Sequence, residues 1–125
     1  MSTKLHDLPH QAVLGGVTPR TATTTVNGGA VDLLTGDGRC FAIQQVGTVT
    51  GTTPSLAGKI QESADGSTNW ADIAGATFSA VTSTDNVQAI SFDRTQRYVR
   101  YVGTITGTSP SFPVAVLIGE QKKQV

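Results

Sequence analysis

The sequence predicts an all-β protein: a single-domain antiparallel β-sandwich or jelly-roll-like barrel of about eight strands with an extended N-terminal arm. Two observations carry this. Thr, Gly and Val lead the composition, with Ser also frequent, and good helix formers never recur at helical spacing over ten positions. Turn signals recur along the whole chain, 10 to 23 residues apart, at Asn27-Gly28-Gly29, Asp37-Gly38, Gly51 to Ser55, Asp65-Gly66, Thr84-Asp85-Asn86 and Gly107 to Ser111, as antiparallel strands joined by turns require. A chain of 125 residues fits one domain and buries about two-thirds of its unfolded surface, so it can hold a core.

Residues 1–20 read as a polar arm, 21–120 as the β-sandwich domain and 121–125 as a polar C-terminal tail. Thr21–Val26 and Ala30–Leu34 flank the Asn-Gly turn as the first pair of strands. Arg39–Thr50, Leu56–Ser63, Trp70–Ile73 and Val87–Phe92 follow, each bounded by turn residues. In Tyr98–Thr106, Val99, Tyr101, Gly103 and Ile105 share one face while Arg100, Thr104 and Thr106 share the other, so one side belongs to the core. Phe112–Gly119 places Phe112, Val114, Val116 and Ile118 on one face but Ala115 and Leu117 on the other, which predicts a strand covered on both sides.

The phrase VGTVTGTTPS at 46–55 returns as VGTITGTSPS at 102–111, 56 positions on, with eight of ten residues identical. Gly51 and Gly107 supply unrestricted φ, and Pro54 and Pro110 fix the exit and remove a donor. This predicts one hairpin per copy in a domain of two similar halves, and matching tight turns in preference to matching binding loops.

Little in the chain suits chemistry. His6 and His10 lie in the polar arm, where no geometry for a general base is held. Asp65-x-Ser67-x-Asn69 opens like a calcium loop, but Trp70 stands at its sixth position and Ala76 at its twelfth. Gly36-x-Gly38 lacks a third glycine and precedes a strand, so it is no dinucleotide fingerprint. One Cys and two His are too few for zinc, and Cys40 reads as a small buried residue. No enzyme, metal or cofactor is expected. Trp70 follows an Asp-Gly turn and is expected to plug an end of the sandwich. Nine Lys/Arg balance nine Asp/Glu without a basic patch, which argues against nucleic acid and anionic membranes. Met1–His10 lacks the apolar run of a signal peptide, and no stretch nears the roughly 20 apolar residues of a membrane span.

Four segments in order, VNGGAVDLLTGDGRCFAIQQVGTVTG (26–51), KIQESADGSTNWADI (59–73), VQAISF (87–92) and QRYVRYVGTITGTSPSFPVAVLIGEQKK (96–123), resemble small head and virion structural proteins of tailed bacteriophages. The resemblance implies a capsid decoration or cement protein. Such a protein binds the outside of the assembled head and bridges neighbouring major capsid subunits, as a homotrimer at local threefold positions. Its location would be the virion surface after synthesis in the host bacterial cytoplasm. The alternative is a carbohydrate- or receptor-binding module of a head fibre or tail, with Trp70, Tyr98 or Tyr101 exposed for stacking. Tyr98 and Tyr101 fall on opposite faces of one strand, which weakens it.

Overall fold

The structure, a computed structural model, describes residues 11–33 and 39–121. The arm residues 1–10 with both histidines, Leu34, the Gly36-x-Gly38 segment and tail residues 122–125 lie outside these. Eight strands follow one another: β1 (Gln11–Ala22), β2 (Val26–Asn27), β3 (Val31–Asp32), β4 (Cys40–Val46), β5 (Thr50–Ser63), β6 (Ala71–Thr77), β7 (Asn86–Phe92) and β8 (Tyr98–Gln121). Every pairing is antiparallel, as the sequence predicts.

One strand organises the rest. The 24 residues of β8 pair through their first half with β5 on one edge and with β2 and β3 on the other; through their second half they pair with β4 and β1. β6 extends the first group beyond β5, and β7 extends the second beyond β4. β8 thus runs through two packed halves of a nearly closed barrel. At one seam the side-chain amide of Gln88 on β7 imitates a strand: its Oε1 accepts from the Ser79 N–H at 2.8 Å and its Nε2 donates to the Ser79 carbonyl at 2.9 Å. At the other, β1 lies so close to β3 that a Cβ on Gly15 would come within 2.7 Å of Val31.

The core is the shared inner face of both halves. Phe112, Ile118, Leu56, Ile60, Val99 and Tyr101 are fully buried. Tyr101 lies across Gly58 and Gly103, where a Cβ would strike its ring or hydroxyl, and it packs against Phe78 with ring centroids 6.1 Å apart. Its hydroxyl donates to Oε1 of the equally buried Gln44. The paired glycines Gly58 and Gly103 make room for a ring that covers them from the same sheet face.

Several expectations about the strands need correction. The first strand is not Thr21–Val26: β1 begins at Gln11, so half of the supposed arm is a sheet strand. Gly15, Gly16 and Pro19 break the alternation of β1 in sequence, but register shifts at Val13/Gly15 and Val17/Arg20 absorb them as bulges. The strand 39–50 stops at Val46. β8 is one strand rather than two. Finally, the outer face of Phe112–Gly119 is open, with Leu117 44 % exposed, while Phe112, Val114, Val116 and Ile118 face the core.

The repeated phrase does not make two hairpins. Its two copies pair with each other, antiparallel, with Thr52 opposite its own counterpart Thr108. Thr50 faces Ser111, and the exchanged pair, Ser55 with Thr106, occurs on the other side. Gly51 (φ +117) would drive a Cβ into the backbone of Thr108, Ser109 and Pro110, and Gly107 (φ +120) into that of Thr52, Thr53 and Pro54. Thr53 and Ser109 match as well, at φ 47 and 49. A local two-fold axis therefore passes between Thr52 and Thr108. Each copy is the template for the other's bulge, so one sequence serves both.

Candidate functional site

The outer surface of the β1-β8-β4-β7 half is built from three rungs. Val87, Gln45 and Ala115 make one, Ala89, Ile43 and Leu117 the next, Ser91, Phe41 and Gly119 the last. Antiparallel partners point to the same face, so these side chains form one surface. None is charged. Val87 is 68 % exposed, Leu117 is 44 % exposed, and Phe41 and Ile43 are half-buried. The Arg39–Asp93 ion pair stands beyond the last rung. Where bulged β1 passes beside β8, a groove of about 570 Å³ opens between Thr18, Pro19, Gln45, Ala115 and Leu117. A second, of about 470 Å³, runs on past Arg20, Gly47 and Pro113, whose chain neighbours Thr48 and Phe112 lead into the paired repeat.

The paired repeat is a corner that projects hydroxyls and no charge. Thr48, Thr50, Thr52, Thr104, Thr106 and Thr108 are exposed, whereas Val49 and Ile105 tuck against the core. The corner meets solvent through matching side chains on both strands.

The opposite half carries two clusters of paired charge. Lys59 meets Asp72 at 3.1 Å, Gln61 donates to Asp72 at 2.9 Å, and the Arg100 guanidinium donates to Gln61 at 2.9 and 3.0 Å. The hydrogen bonds from Gln61 and Lys59 hold the Asp72 carboxyl below its usual range. Arg97 grips Asp32 through two bonds, at 2.8 and 2.9 Å.

The aromatic candidates are covered. Trp70 is not the buried plug the sequence predicts; it is half-buried beneath Arg100, whose guanidinium carbon sits 4.5 Å from the ring centroid. Tyr98 lies between Gly66, where a Cβ would sit 3.0 Å from its ring, and Arg97, 5.0 Å above it. Tyr101 is inside. No aromatic platform faces solvent among these three.

The groups that titrate are also engaged. Asp65 organises its own turn: Oδ1 accepts from the Ser67 and Thr68 N–H groups at 2.9 Å, and Oδ2 from the Thr68 hydroxyl at 2.7 Å. Those bonds hold the Asp65 carboxyl far below its usual range and leave no calcium cradle. Cys40 is buried as expected, beside Glu120, whose Oε2 accepts from Arg94 at 2.7 Å. Arg94 also donates to the carbonyls of Leu33 and Gln96. Burial, with the Glu120 charge behind it, pushes the thiol up to about 12. Among the described residues no group of three or more His, Cys, Asp or Glu could hold a metal ion.

Sequence reading missed the uncharged face because its residues come from three strands separated along the chain. The signal was present in Phe112–Gly119, whose second apolar face has no cover among the described residues. The chain matches no protein-family model, and a search of curated proteins likewise gives no match.

Proposed function

We propose that this protein is a bacteriophage capsid decoration protein, which binds the outside of the assembled head and bridges neighbouring major capsid subunits. The observation that carries this reading is the uncharged patch around Ile43, Val87 and Leu117, bordered at one end by the Arg39–Asp93 pair, while the ion pairs Lys59–Asp72 and Arg97–Asp32 lie on the other half. A neutral, partly apolar surface fits protein contact that depends on area and shape. The resemblance of residues 26–123 to phage head proteins supplies the partner. Repeated attachment over a lattice turns a modest contact into strong retention. A homotrimer at local threefold positions is part of the proposal, since each subunit then meets an equivalent surface. The carbohydrate-binding alternative has less support, because Arg100 and Arg97 cover Trp70 and Tyr98.

The test is co-sedimentation of the purified protein with undecorated shells and with free capsid subunits, at low and high salt. Binding to shells that exceeds binding to free subunits and survives high salt is expected, because a surface without charge gains little from attraction that salt screens. Retention on a glycan array without shell binding would overturn the proposal.

A further inference from the structure

We infer that Asn27 is a spontaneous deamidation site which the fold keeps locked, and that the opening of β2 from β8 releases it. Of the three asparagines in the chain, Asn69 precedes Trp70 and Asn86 precedes Val87, whereas Asn27 precedes Gly28. The chemistry favours that glycine. The Gly28 main-chain nitrogen, once its proton has passed to hydroxide, attacks Cγ of the Asn27 side chain. The new N–Cγ bond closes a succinimide ring as the bond from Cγ to the side-chain nitrogen breaks, and ammonia leaves with a proton taken from water. Hydrolysis of the ring consumes a water and gives aspartate or isoaspartate at position 27. A side chain on the following residue hinders this approach, and glycine has none. Asp65-Gly66 has no amide to expel, and its carboxylate is held by the Ser67 and Thr68 N–H groups and the Thr68 hydroxyl.

The lock is a single hydrogen bond on the nucleophile. Asn27 is exposed, so water reaches its amide, but the Gly28 N–H donates to the Tyr101 carbonyl at 2.8 Å. While β2 lies on β8, that proton is withheld from hydroxide. The hold is narrow. β2 is two residues long and, among the described residues, pairs with β8 alone, Val26 opposite Gly103 and Asn27 opposite Val102. Thr23, Thr24 and Thr25 before it and Gly29 and Ala30 after it are exposed, so this short ladder, the fully buried Val26 side chain and the Gly28 bond are what anchor it. A segment with so few buried contacts opens locally while the barrel stays closed. Where isoaspartate forms, the change is one-way: the main chain then runs through Cβ and Cγ of residue 27, and the added atom prevents Gly28 from meeting Tyr101 while Val26 keeps its place in the core.

The test incubates the full chain, folded and in urea, in the same mildly alkaline buffer and follows each asparagine by peptide mapping and mass spectrometry. In urea Asn27 is expected to deamidate well ahead of Asn69 and Asn86. In the folded protein its rate is expected to fall on the order of a hundredfold, the inverse of the fraction of time that β2 is open. Val26→Ala removes the buried anchor and is expected to raise the folded rate on the order of tenfold while melting stays cooperative. Hydrogen exchange at the Gly28 amide of the wild type measures the same opening without any variant, so its protection is expected to match the slowing. The purified isoaspartate product is expected to melt below wild type. Deamidation of the folded chain at the denatured rate, a folded Val26→Ala variant with the wild-type rate, or a Gly28 protection that differs from the slowing by more than about tenfold overturns the inference.

Discussion

At the scale of single residues, burial separates interactions that look alike. Arg94–Glu120 and Arg97–Asp32 are both short ion pairs, but the Glu120 side chain is 1 % exposed while Asp32 is 45 % exposed. Arg94→Ala strands a buried carboxylate and releases the Leu33 and Gln96 carbonyls, so it is expected to cost about 3 kcal/mol. Arg97→Ala is expected to leave the melting temperature close to wild type. Thermal melts of the two variants check the contrast. Cys40 provides a pH test. Its thiol stays protonated in the folded state far above its ordinary 9.0, whereas the unfolded chain releases that proton near 9. The stabilisation is therefore complete below pH 9 and is lost as pH rises towards 12. Folded protein is expected to resist thiol-specific alkylation at pH 8 and to react fully once denatured; fast labelling of the native state would place Cys40 at the surface.

At the scale of elements, glycine position decides what a strand can do. Gly51→Val and Gly107→Val each force a branched side chain into a left-handed position against backbone 2.8 Å away, and each is expected to cost at least about 2 kcal/mol. Because the two sites are equivalent, their melting temperatures should fall together; a large difference would argue against the local two-fold axis. Val116→Asp is expected to abolish soluble protein, since Val116 is 1 % exposed between β1 and β4 and an unpaired charge there costs several kcal/mol. Much of this was legible beforehand. The alternation of Val99, Tyr101, Gly103 and Ile105 identifies the inner face of β8, and the inward set of Phe112 to Ile118 is also right. The continuity of β8 was hidden, because Gly-Thr-x-Pro-Ser has the composition of a turn and becomes a bulged strand only when a second copy lies opposite. Bulges hid β1 in the same way, through Gly15, Gly16 and Pro19. Trp70 was misplaced because its cover is Arg100, 30 residues away on β8, a contact that local pattern does not reveal.

For the whole molecule, the correction at β1 changes what a truncation means. Removal of residues 1–20 takes most of β1 from the edge of β8 and is expected to give unstable or insoluble protein, so loss of shell binding by that variant would report on folding. A chain starting at Gln11 keeps every described strand and is expected to melt cooperatively, as circular dichroism would show. The pairing pattern has a second consequence. β8 is the partner of β1, β2, β3, β4 and β5, yet of the described strands it leaves the ribosome last. Until residue 98 emerges, β1, β2 and β3 lack their partner strand, and β4 and β5 have only β7 and β6 to pair with. The nascent chain waits with both ladders incomplete, and the two halves close only once β8 has emerged. The same dependence makes the protein divisible. Residues 11–97 and a separate 98–121 peptide, each without a fold of its own, are expected to assemble when mixed, and fusing each to half of a reporter would turn their reunion into a signal.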